Sequence, residues 1–167
     1  FPDCIGAFVA EMDFGIAPVV REALREAVAR GQVGYLSAGP VRALAEACAQ
    51  WQLRHHGWAV PPDAVKAVPD VLGALEIVLR HYLPAGAPVA LPVPCYMPFI
   101  PLMQLLGNRV IQVPMQRGDA GWQLDEAALE AAFGDGARML LLCNPHNPIG
   151  KVYPRDELQR IAAIAAR

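Results

Sequence analysis

Apolar residues recur along this chain in two rhythms, one helical and one extended. Over residues 18–30 they fall at Val20, Leu24, Ala27 and Val28, the spacing of one helical face, with Pro18 near the first turn and Gly31 past the end. Residues 40–56 repeat that rhythm through Leu44, Cys48 (or Ala47), Trp51 and His55 and stop at Gly57, which predicts a second helix with Trp51 in a core. Residues 64–68 read as a short strand, which Pro69-Asp70 joins to a helix over 71–83. A strand is expected at 88–92, a helix ending at Leu106 before Gly107-Asn108, and another strand at 110–113. Residues 116–121 read as a turn, and Asp125 as the cap of a helix over 126–133.

The strongest signal is the wholly apolar run Met139-Leu140-Leu141-Leu142-Cys143, which halts at Asn144-Pro145-His146-Asn147-Pro148-Ile149-Gly150-Lys151. Such a run fits a strand buried on both faces. Pro cannot continue a strand ladder and biases its predecessor towards extended geometry, so a stiff polar loop follows the strand's carboxyl end. Pro154 then opens a last helix carrying Asp156 and Glu157 in its first turn. Strands alternating with helices predict an α/β fold, a mostly parallel sheet flanked by helices, with ligands bound beyond the carboxyl ends of its strands.

Composition narrows the function. A length of 167 residues suffices for one core, and 54% hydrophobic content argues against disorder. The net charge of -2 gives no electrostatic reason to expect nucleic acid. The most apolar stretch, residues 71–83, is broken by Glu76, Arg80 and His81, so no membrane span is expected. The start lacks a basic segment and a long apolar one, the marks of a signal peptide. Cys4, Cys48, Cys95 and Cys143 are scattered, as are the four histidines, so no metal site is expected and reduced, cytoplasmic thiols are the simplest account. One serine (Ser37), no threonine and no Gly-x-Ser-x-Gly argue against a serine hydrolase. The missing initiator Met and a last helix still running at Arg167 lead us to expect part of a longer protein.

The loop Asn144-Pro145-His146-Asn147-Pro148-Ile149-Gly150 resembles the Asn-Pro-x-Asn-Pro-Thr-Gly loop of fold-type-I pyridoxal-phosphate (PLP) enzymes, the aminotransferase superfamily, with Ile149 in place of the usual Thr. Further likenesses run in the family's order. Phe8-Val9-Ala10-Glu11-Met12-Asp13-Phe14 is similar to a signature of the cystathionine β-lyase-like branch, Val33-Gly34-Tyr35 resembles Phe-Gly-Tyr, and Pro94-Cys95-Tyr96-Met97-Pro98-Phe99 resembles Pro-x-Tyr-x-x-Phe. The junction at Pro69-Asp70 resembles the element whose first helical turn holds the PLP phosphate, with Asp70 where many relatives carry a small hydroxyl or Gly. From the residues alone, Tyr96 and Tyr35 are also explained as partly buried aromatics, the Asn-Pro loop as a stiffened turn, and residues 8–14 as an edge strand or arm.

The resemblance implies an incomplete PLP-dependent transferase (aminotransferase-like) fold. Residues 1–40 would form an arm at the active-site entrance and dimer interface, and 41–167 the first part of the large PLP-binding domain. It implies Val71 and Leu72 at the cofactor phosphate through their amides, Tyr96 stacked on the pyridine ring, Asn147 on the phenolic oxygen, and Tyr35 reaching the phosphate of a neighbouring subunit. Met12 and Asp13 would contact substrate. The family's Schiff-base lysine, its Asp at the pyridine nitrogen and its late Arg have no counterpart here, so no catalytic residue is assigned. Of the two lysines, Lys66 lies in the expected strand and Lys151 follows the loop at a position that is not the Schiff-base residue in the family. The implied activity is a C–S β-lyase of cystathionine β-lyase type in amino-acid metabolism, acting on cysteine S-conjugates as a cytoplasmic homodimer, with the present chain inactive alone. A PLP-dependent aminotransferase is the alternative, followed by a PLP-binding sensor module. An unrelated nucleotide-binding domain is disfavoured by the absence of glycine-rich phosphate loops.

Overall fold

The computed structural model describes residues 3, 10, 14–119 and 121–167. Met12 and Asp13 lie outside them. The chain divides into two compact units, residues 1–67 and 68–167.

The first unit holds α1 (Pro18–Ala29), α2 (Ala38–His56) and a 3-10 turn at Pro62–Ala64. Pro18 starts α1 as expected. Gly57 ends α2 at φ +63, a left-handed backbone that favours glycine, with its N–H donated to Leu53 O. Trp51 departs from expectation. It is 55% exposed, and α2 buries Ala45 and Ala49 instead, while the indole ring lies 3.9 Å from the His55 ring. Helical spacing selects a face, but burial needs something packed against it, and the elements described leave this face uncovered. The strand expected over 64–68 is also absent. Those residues leave the 3-10 turn without a ladder partner among the described residues, and an extended segment is a strand only by its pairing.

The second unit is a mixed sheet covered on both faces. Its elements are α3 (Val71–Tyr82), β1 (Val89–Val93), α4 (Phe99–Leu105), β2 (Val110–Gly118), β3 (Gly121–Leu124), α5 (Glu126–Gly134), β4 (Met139–Leu140) and α6 (Arg155–Ala165). Strand order is β3-β2-β1-β4, with β1 parallel to both neighbours and β2 antiparallel to β3. Period-two alternation sorts the core. Val89 and Leu91 join Leu79, Phe99 and Met103 under α3 and α4, while Ala90 joins Leu129, Ala132, Ile161 and Ile164 under α5 and α6. The turn expected at 116–121 is instead the end of a hairpin pairing Gly118 with Gly121, because β2 runs on past Val113. The apolar run at 139 forms a short edge strand: Met139 and Leu140 pair with β1, Leu141 N–H donates to Ala90 O, and the ladder stops. No helix among the described residues is long and apolar enough to cross a membrane.

Candidate functional site

Three segments around β1 carry the polar groups that the sequence singles out. The first is the start of α3. Asp70, in extended backbone, caps the helix by accepting the Gly73 N–H at Oδ1 over 2.7 Å. Its charge is therefore directed at the third amide of the turn, and the N–H groups of Val71 and Leu72 have no partner among the described residues. Unpaired first-turn amides at a positive dipole end suit an anion.

The second segment leaves β1 at Val93 and crosses the cis Val93–Pro94 bond to Tyr96. Tyr96 O accepts the Phe99 N–H at 3.0 Å, and the Tyr96 ring meets buried Phe99 edge to face at 5.4 Å. Anchored this way, Tyr96 is still 36% exposed as a residue, an aromatic surface available to a flat partner. Cys95 sits beside it, its thiol held above the ordinary value by burial and then by the nearby Cys143.

The third segment is the loop after β4, in which Asn144–Pro145 and Asn147–Pro148 are both cis. His146 N–H donates to Lys151 O at 2.8 Å and Gly150 N–H to His146 O at 2.7 Å, closing residues 146–151 on themselves. Gly150 takes φ +66, a backbone other residues adopt only with strain. The two asparagines then separate in role. Asn144 Oδ1 accepts the Tyr153 N–H at 3.2 Å, while the exposed Asn147 carboxamide has no partner among the described residues and is available to a ligand.

Two side chains that sequence reasoning did not single out hold this loop. His146 is buried at 1% exposure, with Nδ1 2.8 Å from Tyr153 Oη and Nε2 3.0 Å from Pro94 O. A carbonyl only accepts, so Nε2 carries the proton and Nδ1 accepts from Tyr153. Burial, followed by the negative charge of Glu157, pushes the Tyr153 phenol well above its ordinary value, so it stays a donor. Neither role has a local signal, since both depend on groups from Pro94 and Met115 to Glu157 meeting in space.

Lys151 is committed elsewhere. Its Nζ pairs with Glu157 at 2.9 Å, donates to Trp122 O at 2.8 Å and sits 4.8 Å from the centre of the Tyr153 ring. An ammonium held this way is no available nucleophile. Lys66 and Tyr35 are exposed and belong to the first unit. Within the second unit, Tyr96 and Asn147 lie just past the parallel neighbours β1 and β4; Leu72 and Cys95 pack against the apolar cluster under α3 and α4, and Ile149 and Tyr153 against the one under α5 and α6. Two open amides, an exposed phenol ring and a carboxamide suit a flat aromatic ligand bearing a phosphate ester.

The family model for aminotransferase class I and II matches residues 3–167. Cystathionine beta-lyase of Corynebacterium glutamicum is 35% identical over 168 residues, covering 100% of this chain and 44% of that protein. Cystathionine beta-lyase PatB of Bacillus subtilis (strain 168) is 29% identical over 163 residues, 97% of this chain and 42% of that protein. Cystalysin from Treponema denticola, whose crystal structure contains a pyridoxal 5'-phosphate cofactor, matches with a TM-score of 0.85 and 26% identity over 95% of this chain and 40% of its own. The chain spans less than half the length of these proteins.

Proposed function

The chain belongs to the aminotransferase class I and II family, and from that premise we propose that the whole protein is a PLP-dependent C–S β-lyase of cystathionine β-lyase type. Its substrates are cysteine S-conjugates. The net reaction breaks the Cβ–S bond and, with water, yields the free thiol, pyruvate and ammonia. The observation that carries this reading is the pair of loops that bear Tyr96 and Asn147 just past the parallel strands β1 and β4, joined to cystathionine beta-lyases that match 100% and 97% of this chain over 44% and 42% of their own length.

Bound PLP supplies the electron sink that stabilises negative charge at the substrate Cα. This chain's part is to hold and orient it. The Val71 and Leu72 amides receive the phosphate, Tyr96 lies against the ring, and Asn147 donates to the phenolic oxygen. Met12 and Asp13 line the substrate entrance. Residues 1–40 form the arm at that entrance and at the dimer interface, and residues 41–167 open the large cofactor domain. The protein works as a cytoplasmic homodimer, with Tyr35 serving the phosphate of the neighbouring subunit. Lys151 is tied to Glu157, and neither it nor Lys66 stands at the position of the family's Schiff-base lysine. On this reading the 167-residue chain is inactive alone.

A visible absorption titration with PLP tests this on the chain and on the protein extended beyond Arg167. The expected result is a borohydride-reducible yellow band in the extended protein only, with pyruvate released from a cysteine S-conjugate. Exchange of keto acids without pyruvate release moves the assignment to an aminotransferase. An extended protein that binds no PLP removes both readings.

A further inference from the structure

We propose that His146 is a positioning residue that sets Tyr96 and Asn147 relative to each other by tying the loop after β1 to the loop after β4. The inference rests on the cofactor assignment above and adds to it a residue that does not itself touch the ligand.

The ladder between β1 and β4 ends early. Its last backbone bond is Leu141 N–H to Ala90 O, after which the two chains part to carry Tyr96 and Asn147. Among the described residues, one hydrogen bond reconnects them: His146 Nε2–H to Pro94 O at 3.0 Å. Pro94 lies two residues before Tyr96, and His146 directly precedes Asn147. The same residue's main chain closes the Asn147 loop through Lys151 and Gly150.

The ring has little freedom to do otherwise. It is 1% exposed, and losing either bond leaves a buried polar nitrogen unsatisfied. Tyr153 Oη holds the other nitrogen and fixes which one carries the proton. Tyr153 is in turn buried, stacked on the imidazole at 5.9 Å between ring centres, with its hydroxyl 3.7 Å from Met115 Sδ. The core under α5 and α6 therefore sets the imidazole, and the imidazole sets the two loops.

Substitutions that separate the two bonds provide the test, made in the protein extended beyond Arg167. In His146→Gln the side-chain amide reaches the Nε2 position and can still donate to Pro94 O, whereas in His146→Asn it reaches only the Nδ1 position. Tyr153→Phe strands Nδ1 and keeps the Pro94 bond. PLP affinity, the induced circular dichroism of bound PLP and the melting temperature are measured for each. Amide exchange at Phe99, whose N–H is bonded to Tyr96 O, is followed in the cofactor-free protein.

We expect His146→Asn to bind PLP about tenfold more weakly, the scale of one lost hydrogen bond, with altered dichroism and faster exchange at Phe99. His146→Gln restores all three, and Tyr153→Phe, which keeps the Pro94 bond, lowers the melting temperature while affinity falls less than in His146→Asn. Equal affinity in the Asn and Gln variants overturns the inference, as does affinity that follows melting temperature across all three. A wild-type protein that binds no PLP removes the functional assignment and this inference together. One that binds PLP while its variants fail to separate removes only the inference.

Discussion

Lys151 and Glu157 bring opposite charges into a site where their side chains are only 12% and 10% exposed. At that burial the value of the pair lies less in its own attraction than in what remains when one partner is removed. Lys151→Met or Glu157→Gln should each destabilise the protein by about 3 kcal/mol, read from urea unfolding, while the double change to apolar residues should cost clearly less than the sum. A simple sum would mean that the charges do not interact. Tyr153 makes a prediction in pH. Its folded phenol is raised above the ordinary 10.0, by burial first and then by Glu157. The stability this contributes is fully present below 10.0 and is lost as pH rises through the higher folded value, because the unfolded phenol ionises first. Unfolding followed from pH 8 upwards should steepen past about 10, and Tyr153→Phe should remove that slope.

At the scale of elements, the start of α3 sets a carboxylate against its proposed use. Asp70 caps Gly73, and the same charge lies at a helix end proposed to take a phosphate. Asp70→Asn keeps an acceptor and removes the charge, so stability should change little and phosphate or PLP affinity should rise several-fold. Asp70→Ala removes the cap and should cost about 1 kcal/mol in urea unfolding. Unchanged affinity in the Asn variant would place the phosphate elsewhere. Caps such as Asp125 and Gly57 were readable from order alone, because a cap acts on backbone within three or four residues of itself. The hairpin from Gly118 to Gly121 was not readable. Its strand β3 is four residues long and exists by pairing with β2.

At the scale of the molecule, apolar surface remains open. Helix α1 has no buried residue, with Leu24 and Val28 56% and 67% exposed, and in α2 Leu44 and Trp51 are 54% and 55% exposed. Among the described residues one sheet edge, β4, is paired only with β1. Surface of this kind favours association. The 167-residue chain should therefore sediment as concentration-dependent oligomers, and Leu24→Glu/Val28→Glu should shift it towards monomer. A wild-type monomer at every concentration would count against the surface being sticky.

What the amino-acid order determined by itself is what local chemistry controls. That covers helices started by Pro18 and Asp125 and ended by Gly57, a parallel strand opening into a proline-stiffened loop, and the ring- and amide-bearing residues placed just beyond strand ends. Tertiary structure decided whatever depends on a partner far along the chain. Residues 64–68 form no strand because the described chain offers no neighbour, and Trp51 stays exposed because no described element covers its face. Asn144 is bound to Tyr153 while Asn147 is left open. His146, one unremarked residue within a motif, joins two loops because Pro94, 52 positions earlier, comes within hydrogen-bonding reach of its ring.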